Sequence, residues 1–207
     1  MNFSAGHARA DEIDRVKALE MKLRSDAISE EEVLELALLN IEPLHNGFRA
    51  VELLEGLVKS NPGNVLGRLW LAFCDIYELM DPASLRNARL LCDGILRETS
   101  EPRTRAAALL LSATAARQLS NDVDVRNELE ECVSLAPNWI TSRQVLAREY
   151  ERHGMKTAAK DQLLKALENA EESPKAGNPL ADLFDLLITG RNTYKVTDRI
   201  REQLREL

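Results

Sequence analysis

Residues 146–166, LAREYERHGMKTAAKDQLLKA, contain two apolar stretches of helical period on either side of a turn. Their apolar residues fall at Leu146, Ala147 and Tyr150, and then, after Gly154, at Ala159, Leu163 and Ala166. Spacings of three and four residues predict amphipathic helices. The small residues let two helices approach closely, and the large ones fill the space between them. One such pair cannot bury its apolar faces alone, so the stretch predicts further pairs packed beside it.

The same arrangement recurs along the chain at spacings of 34 to 39 residues. Small or core-facing positions on the first helix of each pair are Leu38, Cys74, Ala113 and Ala147, and on the second helix Ala50, Ala88, Val125 and Ala159. Short breaks separate the helical segments, and sustained alternation of polar and apolar residues, which is typical of strands, is missing. The pattern therefore predicts an all-α fold built from repeated helix pairs.

Two of these segments resemble the tetratricopeptide repeat (TPR), whose pattern is W-x2-L-G-x2-Y, then A-x3-F, then P. They are Trp70-x2-Phe73-Cys74-x2-Tyr77, and Leu146-Ala147-x2-Tyr150 followed by Ala159-x3-Leu163-x2-Ala166. The chain departs from the pattern at Val125, where alanine is usual, and around Asp81–Ala83, where the second repeat carries extra residues. The resemblance implies a right-handed α-solenoid of paired antiparallel helices with N- and C-terminal capping helices. HEAT-type repeats, which also pair helices, are the alternative.

These patterns predict a linear series of segments. They are a disordered tail at 1–10, an N-terminal helix at 11–28, four TPR-like repeats at 31–64, 65–103, 104–137 and 138–171, and C-terminal capping helices at 178–207. Ser29 and Glu32 form the S-x-x-E pattern of a capping box, which predicts a helix start after Ser29. The first capping helix of the C-terminal pair is expected to start at Asn178 and Pro179.

Composition excludes several classes of protein. The 207 residues include 34 acidic and 27 basic ones, a net charge of −7 that disfavours nonspecific binding to nucleic acid or to anionic membranes. No apolar run is long enough to span a bilayer, and the N-terminus lacks the apolar core of a signal peptide. Three widely spaced cysteines, Cys74, Cys92 and Cys132, predict buried structural thiols and a cytoplasmic protein, without a disulfide framework or a zinc site.

Residue patterns for catalysis are also missing. The sequence contains no GxxxxGK[ST], GxGxxG, GxSxG or HExxH motif. His45 and His153 lie in predicted turns, and neither has another histidine or a cysteine at ligand spacing. We therefore expect no enzymatic activity, no catalytic residue, no cofactor and no metal site.

The resemblance to TPR proteins implies that the first helix of each pair lines a concave groove that binds a partner protein. Projected onto this sequence, the groove residues are Glu32, Glu35, Leu39, Glu42, Arg68, Leu71, Asp75, Glu78, Leu110, Thr114, Arg117, Gln144, Arg148, Glu151 and Arg152. Acidic residues predominate in its first half, which predicts docking of a basic or amphipathic segment of the partner. Leu39, Leu71 and Leu110 are expected to form an exposed apolar floor.

A protein-binding adaptor is the function that these features favour. A dedicated bacterial chaperone or neutralising partner of a secreted protein is the first alternative. An RNA-binding helical repeat is a weaker alternative, because the chain has an acidic balance and no basic stripe. A homo-oligomeric scaffold is a further alternative.

Overall fold

The computed structural model describes residues 10–42, 44–120, 123–172 and 193–207, except for the side chains of 171, 172 and 193–196. Within these ranges the chain is helical and contains no strand. The helices are α1 Ala10–Arg24, α2 Glu30–Ile41, α3 Gly47–Ser60, α4 Val65–Cys74, α5 Pro82–Glu98, α6 Pro102–Leu119, α7 Arg126–Leu135, α8 Ile140–Arg152, α9 Lys156–Glu172 and α10 Thr193–Glu206. A π-helical turn, Asp75–Leu79, continues α4.

The chain forms two compact units, which divide near the end of α5, at Ile95 and Leu96. In the first unit α1 packs on α2, α2 on α3, and α3 on α4. In the second unit α6 packs on α7, α7 on α8, α8 on α9, and α9 on α10. Short connections between neighbouring helices produce antiparallel pairs, which is the arrangement that the repeat pattern predicts.

Several helices begin at side chains that bind their free backbone N–H groups. Ser29 and Glu32 form the predicted capping box, with the Ser29 hydroxyl accepting from the Glu32 N–H at 3.2 Å. The amide oxygen of Asn64 accepts from the Gly67 N–H at 2.8 Å, and the Glu101 carboxylate accepts from the Thr104 N–H at 2.6 Å. Polar residues placed before apolar runs therefore determine where these helices start.

The turn between α3 and α4 is fastened to the start of α2. Asn61 and Asn64 both donate from their side-chain amides to the Glu30 carboxylate, at distances from 2.9 to 3.1 Å. These hydrogen bonds to Asn61 and Asn64 hold the pKa of Glu30 below its ordinary value. The hydrogen bond between Glu30 and Asn64, which are 34 positions apart, thus connects the first helix pair to the start of the next one.

A π-helical turn, Asp75–Leu79, lies in the second repeat just before the expected extra residues. Its wider hydrogen bond runs from the Met80 N–H to the Asp75 carbonyl at 3.1 Å, and Met80 ends the turn in the left-handed region with φ 56°. A π turn holds one more residue than an α turn, so it accommodates one residue of the longer sequence.

The C-terminal helix α10 completes the core of the second unit. Ile200 is fully buried against Ala147, Ala159, Leu163 and Ala166 of α8 and α9. Leu204 and Leu207 pack against the same cluster, together with Tyr150 and other half-buried residues. The spacing of Ala147, Ala159, Leu163 and Ala166 predicted the fourth helix pair. The contact of α10 with these residues is consistent with the prediction that the final segment covers this pair.

The structure confirms the all-α fold and the burial of all three cysteines. The described residues contain helices within each of the four expected repeats, but the division of the chain into these repeats remains a prediction. The expected disordered tail lies almost wholly outside the described residues, as does the helix expected to start at Asn178. No helix among the described residues combines the length and the apolar character needed to cross a membrane.

Replacing Ile200 by alanine should destabilise the second unit by about 2–4 kcal/mol, because it leaves a cavity against α8 and α9. Chemical denaturation followed by far-UV circular dichroism measures the change. Arg205→Ala alters an exposed residue of the same helix and should leave stability within about 0.5 kcal/mol of wild type. Equal midpoints for the two variants would contradict the assignment of α10 to the core.

Candidate functional site

The structure divides the predicted groove residues into a buried set and a surface set. Five of them are buried, with exposures from 1% to 6%: Arg68, Leu71, Asp75, Leu110 and Gln144. The expectation of an apolar floor exposed at Leu71 and Leu110 is therefore wrong. Their helices are apolar on every side, as the buried runs Leu69–Cys74 and Ala106–Leu111 show, and a helix that is hydrophobic all round is enclosed. Leu39 is half-buried.

Asp75 is a core residue and not a rim charge. Its carboxylate Oδ2 accepts from the side-chain amide of Asn87 at 2.8 Å. Burial is the main cause that raises the pKa of Asp75 to about 6, and the nearby Glu55 and Asp81 add to it. Sequence periodicity alone did not reveal this, because an acidic residue after an apolar helix is usually exposed.

Glu78, in the same π turn, lies beside the start of α3. A methyl group added to Gly47 would stand 2.2 Å from the Glu78 Oε2 atom, so the carboxylate closely approaches the first residue of α3. A negative charge is favourable at the N-terminus of a helix, where backbone N–H groups are free. Glu42, at the end of α2, is half-buried, with its Oε2 atom 3.6 Å from Nδ1 of His45.

Glu32 and Glu35 face the chain's own helix α1. Arg15 donates to Glu35 through Nε at 2.7 Å and through Nη2 at 2.5 Å, and Lys22 forms an ion pair with Glu32. Hydrogen bonds to Arg15 and Lys22 are the main reason that the pKa values of Glu35 and Glu32 are lowered. Glu32 and Glu35 of the predicted groove are thus paired with basic residues of α1, a helix that has four acidic and four basic residues in all.

The last groove residues line an open pocket within the second unit. This pocket, of about 620 Å³, is bounded by α8 and α10 and is lined by Arg148, Glu151, Arg152, Arg199, Glu202, Gln203 and Glu206. Gln144, at its buried edge, is 3.4 Å from Gln203 between the side-chain Nε2 and Oε1 atoms. Charged groups of both signs surround the pocket, which suits a polar or charged peptide segment better than an apolar one.

Arg117 and Thr114 have internal partners. Thr114 donates its hydroxyl to the Leu110 carbonyl at 2.7 Å. Arg117 forms an ion pair with the buried carboxylate of Glu149, which also accepts from the Val125 N–H at 3.4 Å. The network joins α6, the α6–α7 connection and α8, so Arg117 acts within the second unit.

Sequence reasoning missed Glu149 and its neighbours. His153 lies with Nε2 at 3.1 Å from Glu149 Oε1 and 3.7 Å from Asp124 Oδ1, and these three residues offer ligand atoms within 4.8 Å of one another. Arg126 donates to Asp124 at 2.5 Å, and this bond is the main cause that lowers the pKa of Asp124. Guanidinium groups thus neutralise both carboxylates, and the network is better suited to holding helices together than to binding a cation. Only the four-residue spacing of Glu149 and His153 was visible in the sequence.

The cysteines are poorly suited to be nucleophiles. Burial raises the pKa of Cys74 above its ordinary value and that of Cys132 to about 12. Cys132 instead donates its thiol to the Ala106 carbonyl at 3.2 Å. Both residues therefore act as small core residues.

Paired helices with small residues at their contacts define an all-α helical-repeat fold, and α8 carries an open charged face within it. Among solved structures, a crystal structure of MamA is similar, with a TM-score of 0.62 and 18% identity over 77% of this chain and 88% of that one. MamA from Desulfovibrio magneticus RS-1, residue 41 to the end, has a TM-score of 0.64 and 15% identity, covering 81% and 90% of the two chains.

A thermophilic TPR protein of Thermus thermophilus, TTC0263, is also similar, with a TM-score of 0.59 and 20% identity over 86% of this chain and 91% of that one. No protein-family model matches the sequence, and no curated protein matches it. At such identities the likeness establishes the fold, and it confirms the predicted TPR-like α-solenoid.

Asp75→Asn should stabilise the protein at neutral pH. The folded state holds the Asp75 proton at a pKa of about 6, against an ordinary value of 3.8. The contribution of the Asp75 carboxyl to the free energy of unfolding is therefore fully present below about pH 4 and is lost as the pH rises through about 6. Asparagine keeps an acceptor for Asn87 without a charge, so the variant should gain on the order of 2 kcal/mol over wild type at pH 7.5 and almost nothing at pH 4.

Urea unfolding at the two pH values measures this difference. Asp11→Asn removes an exposed carboxylate and serves as the control. A constant difference between Asp75→Asn and wild type across the pH range would show that the carboxylate is not destabilised by burial.

Proposed function

We propose that this protein is an adaptor that binds a segment of another protein on the first helices of its repeats, and that it has no catalytic role. The observation that carries the proposal is the open pocket on α8, at the face that the TPR resemblance assigns to ligand binding. Exposed Arg148, Glu151 and Arg152 point charged groups into it from one helix face. The fold that it shares with the TPR protein TTC0263 supports the same role.

The chemistry of this pocket suits a charged or amphipathic peptide. Arginine side chains present a planar fork of N–H donors that fits a carboxylate, and the neighbouring glutamates fit lysine or arginine. Peptides recognised in this way bind through a few anchors and are oriented by the surrounding charges. We further propose a protein ligand and not a nucleic acid, in keeping with the net charge of −7, and a cytoplasmic location, in keeping with three buried free thiols.

Co-purification of the full chain from its native host, followed by mass spectrometry, should identify one or more protein partners. A single dominant partner would favour the dedicated chaperone, and several partners would favour the general adaptor. RNA as the dominant bound material would contradict the proposal.

Reversing one charge in the pocket should weaken binding of the co-purified partner. Arg148→Glu removes a cation from the exposed face of α8, so we expect roughly a five-fold or greater loss of affinity and a changed salt dependence, with unchanged unfolding. Lys160→Glu makes the same charge change at an exposed position of α9 and is the matched control. Binding constants from titration calorimetry at two ionic strengths provide the measurement. Equal effects of the two variants on the binding constant would show that the α8 pocket is not part of the binding surface.

A further inference from the structure

Helix α1 is held to the first unit by buried Leu19 with half-buried Val16 and Leu23 on the same stripe, and by ion pairs with α2 and α3. Leu19 is its one buried residue among those described, whereas Ile13 and Met21 on the same helix are 39% and 70% exposed. Ion pairs connect Arg15 to Glu35, Lys22 to Glu32, and Glu20 to Arg49 of α3. The Arg15 and Glu35 side chains are 44% and 42% exposed, so water and salt compete for this contact. A helix attached in this way can be displaced.

The surface beneath α1 has a definite chemical pattern. Of the acidic residues of α2, Glu32 and Glu35 pair with α1, whereas Glu30 is bound by Asn61 and Asn64 between α3 and α4. Arg15 and Lys22 are seven residues apart, which is two helical turns, and Leu19 lies on the same stripe between them. A helix with the pattern basic–x3–Leu–x2–basic therefore fits this surface, and α1 shows the fit within the same chain.

We propose that the acidic face of α2 is a second binding surface, for a basic amphipathic helix of a partner protein, and that α1 is its intramolecular competitor. The inference rests on the proposed function in one respect, that the chain binds protein segments. Charge complementarity selects the occupant: a helix with lysine or arginine at the positions of Arg15 and Lys22 reproduces both ion pairs. In α1 only Leu19 is fully buried, and Val16 and Leu23 are half-buried. A partner helix with larger apolar residues at these positions would bury more surface and displace α1.

With α1 as a competitor, a partner could bind on α2 only when α1 is displaced. A competitor that is covalently linked to the surface is present at a high effective concentration, so a weak partner is excluded. Any change that weakens the ion pairs of α1, including higher ionic strength, removes part of that competition. The partner must then gain its affinity from apolar contacts, since salt weakens its own ion pairs equally.

Binding of a labelled peptide to the full-length chain tests the proposal. The probe is a fluorescent peptide of residues 10–24, held helical by a hydrocarbon staple that replaces the exposed Asp14 and Ala18. The variant R15E/K22E places like charges opposite Glu35 and Glu32 and should release α1. We expect it to bind the peptide roughly ten-fold or more tightly than wild type does, as measured by fluorescence anisotropy at low ionic strength.

The matched control is K17E/R24E, which makes the same charge change at two exposed positions of α1. Lys17 pairs with Asp14 inside α1 and does not contact α2, so this variant should bind the peptide as wild type does. The fourfold variant R15E/K22E/E32K/E35K restores opposite charges across the contact. It should hold α1 in place again and exclude the basic peptide.

Leu19→Ala gives a second route that leaves every charge unchanged. It should also raise peptide affinity several-fold, and it keeps the proposal testable if the charge variant does not fold. Equal peptide affinities for wild type and for folded R15E/K22E and L19A would overturn the proposal and leave the α8 pocket unaffected. Dimers of R15E/K22E or L19A that exchange α1, detected by light scattering, would also overturn it, because the occupant would then be a second copy of this chain. If Arg148→Glu did not affect partner binding, that result would contradict the proposed adaptor site on α8 and would leave the proposal for α2 unaffected.

Discussion

The structure depends on close contact between helices at small residues. Ala147 on α8 and Ala159 and Ala166 on α9 have almost no exposed surface, and Leu163 and Ile200 fill the space that they leave. Because no helix pair can enclose such a face by itself, each pair needs a neighbour, and the terminal helices α1 and α10 cover what would otherwise be open ends. The two terminal helices do this by different means. Helix α10 uses buried Ile200, whereas α1 combines buried Leu19 and half-buried Val16 and Leu23 with ion pairs to α2 and α3.

That difference separates the stable parts of the molecule from those available for binding. Buried networks such as Arg117–Glu149 restrain the helices that they connect, since breaking them would leave a charge without compensation in the interior. Exposed pairs such as Arg15–Glu35 restrain little and respond to salt. The fold thus contains both kinds of contact: buried pairs that fix the helices relative to each other, and exposed pairs whose charges are open to solvent.

Much of the fold followed from the sequence, because helical period, capping residues and repeat spacing are local signals. Ser29 and Glu32 marked a helix start, and Leu146, Ala147, Ala159 and Leu163 marked a helix pair that the structure contains. The candidate site was harder to predict. Exposure depends on neighbours that a helix projection ignores, so Leu71 and Leu110 were assigned to an exposed surface although they are buried. The contacts of Glu149 with Arg117 and Val125 join residues that are 32 and 24 positions apart, and no local sequence pattern predicts such contacts.

The π-helical turn at Asp75–Leu79 bears on how such a chain can change in evolution. A helical repeat is usually thought of as having a fixed length, so that one inserted residue would rotate everything after it by about 100° and turn an apolar face toward water. Here a widened turn absorbs the additional residue, and α5 begins with its own apolar residues, Leu85 and Ala88, still buried. A residue held in such a turn adds to the length of the repeat while the apolar face of the next helix stays turned away from water.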